Sequence, residues 1–562
     1  MKTSFTYDHY FKYDELSECL TTLKNSYPDL MDLEVNCVSE EGRNQYAVIL
    51  TNKKTGDMLD KPGWYLDGNI HAGEVTSSMC ALYTIDYLLS NYDRDPEIKQ
   101  ILDEMTVYVI PRVTPDGAET YLNTPYTLRS VNREYMSEKG GIKEEDLDND
   151  GVIRMMRIKT PYGAWKKDEN DPSTMKLRDP SDMNGEFYDI YPEGIMEEYE
   201  GSENLKSRKE EWGLDFNRNF PYGWFPEGRQ EGAGKYPLSN IETKAIADFV
   251  LAHPNIGGAA IGHTSGGIIL YPPGTKPSDK APKSDIDILK AIAEMGEEEL
   301  SYKPLNIFDS FLSSQENYDS GALDDWMYET QGIPSYTMEF WDLATKVGVP
   351  INWGEKRKDD LKEDLKRFNA AMKWVKENAP EYYSDWKEYD HPYFGKVELG
   401  GFNYKFTHQN PPEKMLLKEL ENDCRFNIRF IKAMPKLAID EANIEKIGEG
   451  IYKLSVIVGN RGYLSTALTQ TAKNIKATKP VKVIIDNVEL IEGLKETKIE
   501  ELSGYSATKT GVYFYGNITT AENALSRKKL SYVFKAKKGD AVNISAISEK
   551  AGKVSKTLYI EE

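Results

Sequence analysis

A chain of 562 residues exceeds one ordinary domain and fits two or three. A content of 39% hydrophobic and 11% aromatic residues, with 36 tyrosines, can bury a large core and excludes a disordered chain. The net charge of −22 argues against nucleic acid or an anionic membrane as the main partner, and its simplest reading is solubility.

The opening MKTSFTYDHYFKYDEL has no apolar signal-type core, and no segment is long enough to span a bilayer. A cytoplasmic location is therefore expected, with a processed secreted form left open. Tyr13 to Tyr27 reads as a helix ended before Pro28, followed by strand patterns near Leu33–Val38, Gln45–Leu50 and Trp64–Asp67. An amphipathic helix starts after Glu74, and Val107–Val113 is a short, strongly apolar strand. Helical periodicity marks Ile241–Leu251, Asp285–Leu300 and Lys356–Lys376, while Ile256–Ile261 and Tyr336–Phe340 look like buried strands. Strands alternating with helices predict an α/β sheet covered on both faces.

Between about 134 and 212 the rhythm breaks into a stretch rich in Asp, Glu, Lys, Gly and Pro, read as an insertion folding over a functional rim. After about Pro435, short strand-like runs separated by Gly, Asn and Asp predict a β-sandwich of Greek-key, Ig-like type. The expected division is a catalytic domain over 1–435 and a sandwich over 436–562.

The chemistry gathers in the first part. His71-Ala-Gly-Glu74 places an imidazole and a carboxylate three residues apart at a helix entrance, where both can face one way. Both are good zinc ligands, and a catalytic zinc usually has three protein ligands and an open position. The cysteines Cys19, Cys37, Cys80 and Cys424 are scattered and do not look like a metal site or a disulfide framework. Among six histidines, His263 is the best third ligand: it ends an apolar strand before a Gly-rich turn, as catalytic groups in α/β sheets often do. His253, before Pro254, reads as a helix C-terminal residue.

HAGE, then GLDFNRNFP, then IGHTSGGIILYP, then GIPSYTMEF, in that order, resembles the zinc carboxypeptidase family (M14, carboxypeptidase A-like metallopeptidases) over roughly Tyr7 to Asn403 apart from the insertion. The resemblance implies a mixed central sheet flanked by helices, with His71, Glu74 and His263 holding one Zn2+. It implies Glu339 as general base and Arg129 as the group polarising the scissile carbonyl. It implies Asn217 and Arg218 as the grip on a terminal carboxylate, and Tyr318 as a mobile tyrosine closing over the substrate. The expected partner is a peptide with a free C-terminal carboxylate. Duller readings stand beside these: Glu74 as a first-turn acid on a helix dipole, Arg218 in a structural ion pair, and the nearby Arg133 in place of Arg129.

Asp324 falls where the family selects side chains, which implies a preference for basic C-terminal residues; alternatively it caps a helix starting at Trp326. Gly73 replaces the arginine that some members carry between their zinc ligands. In the insertion, Asp146, Asp148 and Asp150 before Gly151 match the start of a calcium loop, but Arg157 stands where an EF-hand needs glutamate. Calcium there and a solvated acidic turn are both open. The rival functions are an amidase acting on cell-wall peptides and a non-catalytic peptide-binding relative; the oligomeric state is not legible.

Overall fold

The computed structural model describes residues 5–133, 140–196, 199, 201, 205–208, 212–312, 318–353, 360–513 and 516–561. Its centre is an eight-stranded mixed sheet in the order Met31–Val38, Asn44–Leu50, Thr106–Ile110, Gly63–Gly68, Ile256–Thr264, Ser335–Phe340, Ile268–Tyr271, Lys303–Asn306. The four strands from Thr106–Ile110 to Ser335–Phe340 run parallel, and antiparallel strands flank them. Three of these central strands are buried at every position, which is why they read as unbroken apolar runs.

Alternation assigns the two faces of this sheet. Trp64 and Tyr336 meet Phe430 of the Glu413–Lys432 helix edge-on, at 5.7 and 5.0 Å between ring centroids. Tyr108, on the opposite face, meets Phe249 of the Ile241–Ala252 helix at 5.8 Å. His253 is the C-terminal cap of that helix, as expected, its Nδ1 2.7 Å from the Phe249 carbonyl. The Glu413–Lys432 helix was not anticipated, although its buried Leu416, Leu420, Cys424 and Ile431 keep helical spacing. The start of the Lys356–Lys376 prediction lies outside the described residues; the helix itself spans Leu361–Asn378.

The insertion is more regular than its composition suggests. Strands Met155–Lys159, Trp165–Lys167, Met175–Leu177 and Tyr188–Pro192 join a hairpin, Tyr383–His391 and Gly395–Phe402, in one antiparallel six-stranded sheet. Arg157 fastens the two parts together. It donates to Glu398 at 2.7 and 3.2 Å and lies 4.1 Å over the Trp386 ring.

Of the two readings left open for Asp146, Asp148 and Asp150, the described contacts support the acidic turn and give calcium no support. Asp150 pairs with Arg154, and its other oxygen accepts from the Val152 amide. Asp146 accepts from the amides of Asp150 and Gly151. The third acid beside Asp146 and Asp148 is Glu193, whose oxygens accept from the amides of Leu147 and Arg154. The aspartates act as caps of a tight turn, and calcium binding is unsupported.

The C-terminal region forms two four-stranded sheets closing on Leu454, Val456, Val483, Ile485, Phe534 and Ile544. Leu464 and Leu468 belong instead to the core of the first part. Beside them Asp285, fully buried, accepts from the amides of Gln470 and Thr471, the Thr471 hydroxyl and the Tyr328 hydroxyl. Thr469 donates to the Gly332 carbonyl at 2.9 Å. A Cβ on Gly332 would lie 2.2 Å from the Ala472 methyl, and its φ of 66° already favours glycine. Among the described residues, no helix is long and apolar enough to cross a membrane.

Candidate metal centre and substrate cleft

The turn that presents His71 and Glu74 is held from within. Asn69, at φ 65°, donates to the carbonyls of His71 and Ala72 at 2.7 and 3.0 Å. Glu74 sits at the N-cap of the Val75–Asn91 helix. The third group arrives by sheet register: His263 lies directly beside Glu339 on adjacent parallel strands, so both side chains leave the same face at the strand ends.

These elements bring His71, Glu74 and His263 together, each at most 3% exposed, with one ligand atom from each within 4.8 Å of the others. His71 Nδ1 is 2.9 Å from Glu74 Oε1, and His263 Nδ1 is 2.9 Å from Glu74 Oε2 and 3.1 Å from His71 Nδ1. Two imidazole nitrogens facing each other across a carboxylate, buried from water, form a donor set that a divalent cation satisfies and a proton cannot fully satisfy. Burial alone would raise the Glu74 carboxyl; the two imidazoles outweigh it and hold it well below the usual range. Burial lowers His263, which favours the neutral, ligating form.

Asp215 was not singled out in the sequence. Its Oδ1 lies 3.1 Å from His71 Nε2, and its Oδ2 accepts from Arg129 Nε at 2.8 Å. The carboxylate thereby orients the imidazole with Nδ1 toward the cluster. Arg129 Nη1 is 3.9 Å from Glu74. Burial opposes the Arg129 charge, but Asp215 and Glu74 overcome it and raise the guanidinium above its ordinary value. The rival Arg133 is committed elsewhere, paired with Glu242 and 3.3 Å from Glu40.

Asn217 and Arg218 follow on the same short turn. Asn217 Oδ1 accepts from the Leu323 amide at 2.9 Å, joining this turn to the helix Leu323–Gln331. Arg218 donates to the Asn217 carbonyl at 2.9 Å and lies 3.2 Å from Asp319. Gly321 makes the approach possible, because a Cβ there would fall 2.5 Å from the Arg218 carbonyl. Tyr318 is half-buried against Phe225, with ring centroids 5.1 Å apart.

Asp324 is the second residue of the Leu323–Gln331 helix, whose N-cap is Ala322, so it does not cap a helix starting at Trp326. Its carboxylate is 4% exposed and accepts from the Thr337 hydroxyl at 2.9 Å. Asp67 shares a row with Ile261 and Thr337 across the sheet, one step below His263 and Glu339. Burial and the nearby Asp324 push Asp67 up to about 7 against a hydrogen bond from Tyr65. Glu339 is itself raised well above the carboxylate range, first by burial and then by Glu74.

Residues 16–350, more than half the chain, match the family Peptidase_M14, described as Zinc carboxypeptidase, and the chain belongs to that family. Residues 436–559 match a Domain of unknown function (DUF8731). The chain is 29% identical over 110 residues to Carboxypeptidase D of Drosophila melanogaster, covering 19% of this chain and 8% of that protein. It is 23% identical over 353 residues to Carboxypeptidase A1 of Rattus norvegicus, covering 61% of this chain and 65% of that protein. The chain thus spans less than two thirds of the length of these relatives. Among solved structures, it is similar to thrombin activatable fibrinolysis inhibitor, at 17% identity and a TM-score of 0.43, covering 76% of this chain and 74% of that one.

Proposed function

We propose that the protein is a zinc-dependent metallocarboxypeptidase that removes the C-terminal residue of peptides. The observation that carries this reading is the pairing of His263 with Glu339 on adjacent strands, beside the His71–Glu74 turn. His71, Glu74 and His263 would hold the zinc, which supplies Lewis acidity toward a carbonyl and makes water acidic enough to react near neutral pH. Glu339 takes the proton of the attacking water and delivers it to the leaving amine. Arg129, kept cationic by Asp215 and Glu74, donates to the oxyanion.

Arg218 supplies the exopeptidase character. Its present partner Asp319 is 41% exposed, so a substrate carboxylate can take over the guanidinium and gain parallel hydrogen bonds. Tyr318, adjacent to Asp319, would close over the bound end. Asp324 and the row beneath it form an acidic floor that favours a basic terminal side chain. A non-catalytic relative fits less well, because His71, Glu74 and His263 lie together and Glu339 stands beside His263 on the next strand.

Metal analysis with Glu339→Gln tests the reading. The variant is expected to retain about one zinc per chain. It should lose about 10²–10⁴-fold in kcat on peptides with a free C-terminus. Undiminished hydrolysis overturns Glu339 as the base, and metal-free protein with full activity overturns the zinc mechanism.

A further inference from the structure

The residues Lys405–Asn410 lie beyond the stretch that matches the family, yet they touch both arms of the metal centre. Asn410 is fully buried. Its Nδ2 donates to the Gly73 carbonyl at 2.7 Å, and its Oδ1 accepts from the amide and hydroxyl of Thr76 at 3.0 and 2.8 Å. On the other side, Trp341, two residues past Glu339, donates its indole N–H to the Thr407 carbonyl at 2.8 Å. One wide helical turn therefore braces the ligand-bearing turn and the strand that carries Glu339.

Gln409 lies over that brace. A Cβ on Gly73 would fall 2.6, 2.7 and 2.8 Å from its Nε2, Oε1 and Cδ, so the amide group rests directly on the Cα between the two ligands His71 and Glu74. Only glycine at 73 admits this approach. The Tyr121 hydroxyl accepts from Asn410 Nδ2 at 3.3 Å and directs its one proton between Gln409 Oε1 at 2.9 Å and the Lys405 carbonyl at 3.2 Å; the shorter contact turns the amide oxygen toward Tyr121 and Nε2 away from it. Gln409 Nε2 donates to no described residue, and the side chain is partly open to solvent. An oriented donor without an acceptor, resting on the ligand turn, is placed for a substrate carbonyl.

The side of the cleft follows from the anchor. With the terminal carboxylate on Arg218, a single residue separates it from the scissile bond, and its surroundings are Asn217, Arg218, Tyr318 and Asp324. Gln409 is bonded to Tyr121 and rests on Gly73, and no described hydrogen bond joins it to any of these four residues. We propose that Gln409 Nε2 binds a backbone carbonyl of the substrate on the N-terminal side of the scissile bond, so that the enzyme reads peptide length as well as the terminal residue. This rests on the carboxypeptidase reading above.

The test compares Phe-Arg, which has no carbonyl before the scissile one, with N-acetyl-Phe-Arg, which has one. In the wild type the acetylated substrate should be favoured in kcat/KM. In Gln409→Ala that preference should shrink by about five-fold, the worth of one neutral hydrogen bond. Gln409→Glu keeps an acceptor for Tyr121 but has no N–H donor, so it should lose the preference without losing the fold. On the Glu339→Gln background the same shrinkage should appear in the ratio of the two dissociation constants. An unchanged ratio in both variants overturns the proposal. A wild type that releases arginine from neither substrate overturns the carboxypeptidase reading, and the proposal with it.

Discussion

Asp215 joins His71 to Arg129: one oxygen lies 3.1 Å from His71 Nε2, and the other accepts from Arg129 Nε at 2.8 Å. A single carboxylate thus sets the direction of a proposed ligand and of the cation beside it. Burial would raise this carboxyl, but Arg129 and His71 hold it well below the usual range. Asp215→Asn keeps the shape but faces three donors, His71 Nε2, Arg129 Nε and the Asn217 amide, with one acceptor oxygen. Zinc affinity, read by competition with a chromophoric chelator, should fall about 10–100-fold.

Arg218 should separate free acids from amides. The wild type is expected to cleave a peptide with a free C-terminus and leave its C-terminal amide intact. Arg218→Met should lose about 10–100-fold in kcat/KM on the free acid, the worth of a charged hydrogen-bonded contact. Equal activity of the wild type on acid and amide would remove the carboxylate anchor.

Asp324 should govern the terminal side chain. Its side chain is buried and shares its neighbourhood with Asp67, so an incoming guanidinium or ammonium would find two carboxyl groups as acceptors there. Asp324→Asn preserves an acceptor for Thr337 and should reduce the Arg-over-Phe ratio in kcat/KM by about ten-fold or more. A ratio that does not move assigns selectivity to another wall of the cleft.

Asp423, in no contact used by the proposed site, sets a pH dependence of stability. It is fully buried in the Glu413–Lys432 helix and accepts from Asn427 at 2.8 Å; burial, with Glu419 nearby, pushes it up to about 7. The unfolded chain releases this proton near the ordinary value of about 4, so between roughly pH 4 and 7 the folded state binds more protons. Stability therefore falls as pH rises through that window. Asp423→Asn should be more stable than wild type at pH 8, by up to about 4 kcal/mol, with the gain fading toward pH 4. Melting temperatures of both proteins at several pH values check the sign.

What the sequence discloses here follows from how each residue is used. The central strands are buried on both faces and so appear as continuous apolar runs, and His263 and Glu339 are conspicuous because each interrupts one. The motif order then carries the rest of the proposed ligand set. Asp215 was hidden within a motif whose Asn217 and Arg218 drew attention; its signal was an acid two residues ahead of a proposed carboxylate anchor. The Lys405–Asn410 turn was illegible because KFTHQN is mostly polar, and its contacts are made through backbone carbonyls and the two amide side chains of Gln409 and Asn410. The insertion's strands were obscured because they are short and only one face of their small sheet, with Met156, Ile158, Val397 and Leu399, is apolar. Its partner hairpin lies more than two hundred residues away in sequence, so Arg157 could not be matched with Glu398 or Trp386.

The helix bearing Asp324 ends at Gly332, where the C-terminal region meets it through Thr469 and Ala472, and Tyr328 of that helix shares Asp285 with Thr471. Leu464 and Leu468 sit inside the first core. The boundary near residue 435 is thus a seam in sequence rather than a hinge in space. Expressing the first 435 residues alone would strip one wall from the Leu323–Gln331 helix, which carries the proposed specificity residue Asp324, and deprive Asp285 of most of its donors. A severed protein should bind zinc poorly or misjudge its substrate even with every proposed site residue intact, and mixing the two halves should restore selectivity only where they reassemble.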